Sequence, residues 1–183
     1  MKRFFFIIGA LLSCMLVSAQ DNALKTRLTK LALLSFDAGV ECKLASKLTA
    51  DVSATYNPWT FTDNRKWKVL MADTQLRYWP CREYFGWFVG GYVHGGCFNF
   101  GNIPFGDLKS LRREGWFVGA GADAGYQLVL TKKLNLEFEL GAGYAFYRSV
   151  AFEYPVCGLQ VSENLPGHYW GLTKANVALV FFF

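Results

Sequence analysis

The sequence predicts an all-β protein: an eight-stranded antiparallel up-and-down transmembrane β-barrel. Three observations predict it. Hydrophobic residues make up 52% of the 183-residue chain, yet no window after residue 20 has the run of about 20 apolar residues that a spanning helix needs. The apolar residues are instead spread at every second position over segment after segment, which puts them on one face of a strand. The links between segments alternate between short and long, as the periplasmic turns and outer loops of a membrane barrel do.

In chain order, Lys2 and Arg3 precede an apolar run from Phe4 to Leu12 and a small-residue site, Val17-Ser18-Ala19. This is the pattern of an export signal, so residues 1–19 are expected to be cleaved and 20–183 to form the barrel. A lipoprotein reading of Leu11-Leu12-Ser13-Cys14 is disfavoured, because apolar Met15, Leu16 and Val17 follow with no polar linker. The first strand, near Ala23 to Leu34, is the poorest: Lys25, Arg27 and Thr29 suit a polar face, but Lys30 then falls on the apolar side unless it snorkels or a bulge shifts the parity. In the second, Phe36, Ala38, Val40, Cys42 and Leu44 oppose Asp37, Gly39, Glu41 and Lys43. The third sets Leu48 to Tyr56 against Thr49, Asp51, Ser53 and Thr55; the fourth sets Leu70 to Tyr78 against Met71, Asp73, Gln75 and Arg77. The fifth runs from Trp87 to His94 and the sixth from Trp116 to Leu130. The clearest is the seventh, where Leu134, Leu136, Phe138, Leu140 and Tyr144 oppose Asn135, Glu137, Glu139 and Gly141. The eighth, Thr173 to Phe183, has apolar residues at every second place back from its terminal Phe183, resembling the C-terminal sorting signal read by barrel-assembly machinery. Short links fall near Ser46-Lys47, Pro80 to Tyr84 and Lys132-Lys133, and long ones near 58–65, 98–113 and 152–168, while the link near Ser35 is expected to be unusually short.

A soluble lipocalin-like barrel shows the same period with its apolar face turned inward. Here the less apolar face carries Gly, Ala and Ser beside a few charges, which suits the packed inside of a narrow barrel. All six Trp lie near strand ends: Trp59, Trp67, Trp79, Trp87, Trp116 and Trp170 are expected to form aromatic girdles at the two membrane interfaces. Lipid also accepts only a closed sheet. The interior should then hold Asp37, Glu41, Asp51, Asp73, Asp123, Glu137 and Glu139 against Lys25, Arg27, Lys43, Arg77 and Lys174. Charges kept from water must pair, so a salt-bridge network is expected to fill the lumen rather than leave an open pore. Of 19 basic and 14 acidic residues the cleaved segment carries two and none, leaving a mild net charge of about +3 that gives no reason to expect nucleic acid.

Several motifs raise chemical alternatives. Cys97 and Cys157 both fall toward the outer side and form a candidate disulfide, while Cys42 and Cys81 are expected to be free. No Cys/His cluster has zinc spacing, and no cofactor is expected. His94 points inward as an interior imidazole. His168, at the end of the last outer loop near Ser162 and Glu163, permits an alternative reading as an outer-rim lipid-modifying enzyme, though Trp170 stands where a lipid A deacylase would have its Ser. Gly119, Gly121 and Gly125 lie within a strand with no following helix, which excludes a dinucleotide loop and points to close packing. Arg65, Lys66, Lys109, Arg112 and Arg113 on the outer loops are either a solvated rim or a contact for lipopolysaccharide phosphates.

Asn22-Ala23-Leu24-Lys25-Thr26, Tyr56-Asn57-Pro58-Trp59, Lys66-Trp67-Lys68, Leu76-Arg77-Tyr78-Trp79 and Arg113-Glu114-Gly115-Trp116 resemble the pattern of a domain-of-unknown-function family of small outer-membrane barrels from Bacteroidetes-type bacteria, OmpA/OmpW-like. The resemblance covers nearly the whole chain after the signal and implies an eight-stranded barrel with no assigned activity. It also implies a link to surface assembly, since some relatives lie near fimbrial genes. Some carry an added peptidoglycan-binding domain, which is not expected here. Relatives often have paired cysteines before the last strand, whereas Cys157 stands alone in that loop. The expectation is thus a non-enzymatic outer-membrane barrel with a structural or surface-assembly role. Its expected partners are outer-membrane lipid, lipopolysaccharide, the barrel-assembly machinery and surface or fimbrial proteins. The alternatives are the lipid-modifying enzyme and a binder of a small apolar ligand.

Overall fold

The computed structural model describes residues 22–102, 111–153 and 160–183. Eight antiparallel strands, paired in chain order and closed by β1 against β8, form one barrel. They are β1 Asn22–Arg27, β2 Phe36–Ala45, β3 Leu48–Thr60, β4 Lys66–Tyr78, β5 Gly86–Gly101, β6 Leu111–Val129, β7 Leu134–Glu153 and β8 Gln160–Phe182, with one short helix, α1, at Leu28–Ala32. Closure leaves no open edge, so every strand spends its backbone groups on two neighbours. The register starting at Leu24 runs through Val40, Val52, Thr74, Val93, Ala120 and Tyr144 to Trp170, whereas the closing pair sets Leu24 against Phe181. That stagger of 11 residues (181 − 170) tilts the strands and fixes a narrow lumen.

Alternation decides which side chains enter that lumen. On β7 Glu137 and Glu139 are 2% and 3% exposed, while Phe138 and Leu140 on the other parity are 45% and 63% exposed. The same inversion holds on β4, where Asp73, Gln75 and Arg77 are buried and Leu70, Leu76 and Tyr78 are exposed. The barrel therefore buries its charges and turns its large apolar side chains outward.

The structure departs from the sequence reading in three places. β1 stops at Arg27, and the chain then turns as α1 across the upper mouth. The connector from Leu28 to Ser35 is pinned there: Asn57 donates to the Leu33 carbonyl and the Ser35 hydroxyl, and the Trp59 indole N–H donates to the Leu34 carbonyl at 2.6 Å. Neither snorkelling nor a bulge is needed for Lys30, because α1 swings it inward to Asp37 and Thr55. Second, the strands run past the alternating segments. β5 reaches Gly101, β6 begins at Leu111 and β8 at Gln160, because backbone pairing continues where the hydropathy pattern has faded. Third, Thr173 is an extra residue between the pairs Gly141–Lys174 and Ala142–Leu172, and this bulge turns its hydroxyl onto Tyr92.

Candidate functional site

The lumen is layered. At the lower end, beside the chain terminus, Trp79, Tyr84, Phe88, Ala23 and Val180 form a dry cluster with Phe182 packed against it. Trp79 contacts Phe88 at 4.9 Å between ring centroids, and Tyr84 meets Phe182 edge-on at 5.0 Å. The Trp79 indole N–H donates to Thr49, whose hydroxyl donates in turn to Glu41, so the plug is tied to the charges above it.

Arg77 is the hub of that charged layer. Its guanidinium lies 3.2 Å from Glu41, 2.8 Å from Glu137 and 3.2 Å from Glu139, donates to Gln75, and covers the Phe88 ring at 4.5 Å. Lys25 reaches Glu137 at 2.7 Å, Asp51 at 3.6 Å and, most closely, Glu41. Arg27 bridges Asp37 and Asp51. Lys174 pairs with Asp73 at 2.9 Å, stands 3.7 Å from Asp123 and 3.6 Å from Glu139, and lies over Tyr92 at 4.2 Å. Gln75 donates to Asp123 and Asn176 to Glu139. Such a set is tolerable in a low-dielectric interior only because nearly every charge has a partner within hydrogen-bond reach.

The structure thus brings together Lys25, Arg27, Asp37, Glu41, Asp51, Asp73, Arg77, Asp123, Glu137, Glu139 and Lys174. Lys43 is not among them. It sits at the lower mouth, paired at 2.6 Å with Glu83 of the β4–β5 turn. Sequence reasoning missed Lys30 as a lumen residue, because α1 interrupts the parity, and missed Glu83, because a turn carries no periodicity. The signal for Trp79 was present: it continues the parity of Asp73, Gln75 and Arg77.

Trp79 is accordingly a correction. It is fully buried in the lower plug rather than set in an outer girdle. Trp67 is a second, since it shares the lumen register and packs on Phe100 at 5.2 Å. Trp59, the direct cross-strand partner of Trp67, is in the same register and lies at the upper mouth against Phe36, where it is 41% exposed. Trp87, beside Tyr126 at the lower end, is 69% exposed on the outer wall, as are Trp116 (43%) and Trp170 (77%) higher up. His168 also belongs to the wall and not to a loop. β8 carries it on the outward register beside Tyr144, whose hydroxyl lies 2.5 Å from Nδ1. The side chains of residues 162 and 163, 1–19, Lys109 and Cys157 lie outside the described residues. Cys97 is exposed opposite Trp116, and Phe183 is exposed at the lower end. Of the rim cations, Arg112 bonds Asn99 and Glu114 and lies over Phe152.

The glycines explain how large rings fit so narrow a lumen. Phe88, Tyr92 and His94 on β5 stand opposite Gly125, Gly121 and Gly119 on β6. A Cβ at any of the three would overlap the facing ring as well as a carbonyl of β7. Above the charges, Tyr92 stacks on His94, and Phe117, Phe98 and Phe100 continue the aromatic lining toward the mouth.

Residues 4–183 match a family model described as "Protein of unknown function (DUF3575)". No curated protein and no solved structure matches the chain.

Proposed function

We propose, from the premise that the chain belongs to the DUF3575 family of proteins of unknown function, that it is a non-enzymatic outer-membrane β-barrel with a structural or surface-assembly role, related to the OmpA/OmpW-like barrels of Bacteroidetes-type bacteria. The observation that carries this reading is the inverted wall. Leu70, Val93, Leu140 and Leu172 are each more than half exposed around the barrel, while Asp51, Arg77 and Glu137 lie sealed inside. A sheet in water would hold a contiguous apolar surface of that kind at a cost. In hydrocarbon it is the favourable arrangement, and a closed barrel is one of the two forms that satisfy their backbone there.

Further features support the same placement. Trp87 and Tyr126 at the lower end, and Trp116, Tyr144 and Trp170 toward the upper end, suit two headgroup zones. Residues 1–19 serve as the cleaved signal and Phe183 as the sorting signal for the barrel-assembly machinery. The upper-mouth cations Arg65, Lys66, Arg112 and Arg113 meet lipopolysaccharide phosphates, and the upper loops contact surface or fimbrial proteins. Fractionation of cells followed by electrophoresis without heating tests the proposal. The protein should sediment with outer membranes, shift mobility on boiling, and leave lipid A acylation unchanged when deleted. Recovery in the soluble fraction, or a lipid A change on deletion, overturns it.

A further inference from the structure

A cavity of about 450 Å³ lies in the upper lumen, between the charged layer and α1. Pockets of about 300–1,000 Å³ enclose small organic ligands, usually with apolar walls and a few convergent polar groups. This one has such walls: Leu33, Met71, Phe117 and Tyr169 line it. Its polar lining is unbalanced. Arg27, Lys30 and Lys174 face Asp73 as the single carboxylate of the lining, because the other lumen carboxylates lie behind or beneath these cations. Lys30 spends two of its three donors on Asp37 and Thr55 and is 16% exposed. His94 supplies an independent observation. It is 7% exposed and lines the cavity, and among the described residues it makes ring contacts to Tyr92 and Phe117 but no hydrogen bond. An imidazole that lines a cavity without a protein hydrogen-bond partner keeps its N–H for whatever fills that cavity, since polar groups in a core are ordinarily paired.

We infer that this cavity is a binding site for a small monocarboxylate with an apolar or aromatic body. The carboxylate takes the one remaining donor of Lys30 and the N–H of His94, and the apolar body lies against Phe117, Met71 and Leu33. A cationic ligand is disfavoured by the three cations of the lining, and a neutral apolar one leaves His94 and the third Lys30 donor as they are. The site is independent of whether the outer wall faces lipid.

The test uses the full barrel folded in a non-ionic detergent, with phenylacetate and its uncharged analogue phenylacetamide as probes in isothermal titration calorimetry. Phenylacetate is expected to bind saturably and roughly tenfold more tightly than the amide, the worth of one charge-assisted hydrogen bond. Lys30→Met and His94→Leu should each weaken phenylacetate severalfold or more. Lys30→Arg should retain binding, and Lys43→Met at the opposite mouth should leave it unchanged. All variants are first checked for the heat-dependent gel shift of a folded barrel. Absence of saturable phenylacetate binding, equal affinity for acid and amide, or undiminished binding by folded Lys30→Met and His94→Leu proteins overturns the inference.

Discussion

Arg77 serves three carboxylates at once through its planar fork. Deleting one member of a buried ion network leaves its partners charged and unpaired, which costs about 3–5 kcal/mol. Arg77→Met is therefore expected to lower stability by about that amount, read as a shift of the urea midpoint for folding into vesicles. Lys43→Met is the contrasting substitution. Its pair with Glu83 is partly exposed, so the loss should stay below about 1 kcal/mol. The same pair carries a small pH dependence through Glu83, which lies in the β4–β5 turn outside the barrel strands. The hydrogen bond from the Lys43 ammonium holds the Glu83 carboxyl below the usual glutamate range. A carboxyl depressed in the folded state adds stability above its unfolded pKa and loses it as pH falls through the folded value. Acid titration of stability should therefore lose a shallow component below about pH 4 in Lys43→Met, while the remainder of the curve is unchanged.

Among the elements, β7 was legible in the sequence and β1 was not, for a physical reason. β7 keeps one face apolar and the other polar over many residues, so its parity states the inside and outside of the barrel and thereby fixes most of the charged layer. β1 is only six residues long, and the five-residue α1 that follows changes the period, so extrapolating a strand through Lys30 put it on the wrong side. Strand extension at the upper end was equally hidden, since the backbone ladder of β5 and β6 continues where no face is uniformly apolar. Cross-strand partners are hidden for another reason: parity says that Tyr92 and Gly121 both face inward, but only the register says that they face each other. That pairing makes a specific expectation. Gly121→Ala forces a methyl group into Tyr92 and the Ala142 carbonyl and should destabilise the barrel by about 1–3 kcal/mol. Gly91→Ala on the outward face of the neighbouring strand meets its nearest atom at 3.8 Å and should change stability by no more than about 0.5 kcal/mol, with both read from urea midpoints.

For the whole molecule, the decisive property is that polarity runs from a charged axis to an apolar wall, the reverse of a protein that folds in water. The layers depend on one another: the aromatic plug at the lower end dries the base of the ion network, and the α1 connector narrows the opposite mouth, so the cations and carboxylates meet in a medium of low dielectric. Such a lumen is specified by pairing, whereas the wall is specified only by what surrounds it. The wall is thus where the proposed membrane placement can be tested without touching any internal contact. Leu140 is suited to this, because it is 63% exposed, stands opposite Ala124 and Ala175, and lies on β7 between the lower end and the Tyr144–Trp170 level. If the wall faces hydrocarbon, Leu140→Arg should cost about 2–4 kcal/mol in lipid vesicles, the penalty of a guanidinium near the bilayer midplane, with the gel shift of the folded form retained at low urea. Phe183→Arg, at the lower boundary, should cost no more than about 1 kcal/mol once the protein is folded in the same vesicles. A wall in contact with water would treat the two alike, since exposed substitutions there stay within about 0.5 kcal/mol of neutral. A depth-dependent penalty therefore supports the membrane placement, and equal small effects at Leu140 and Phe183 would remove it.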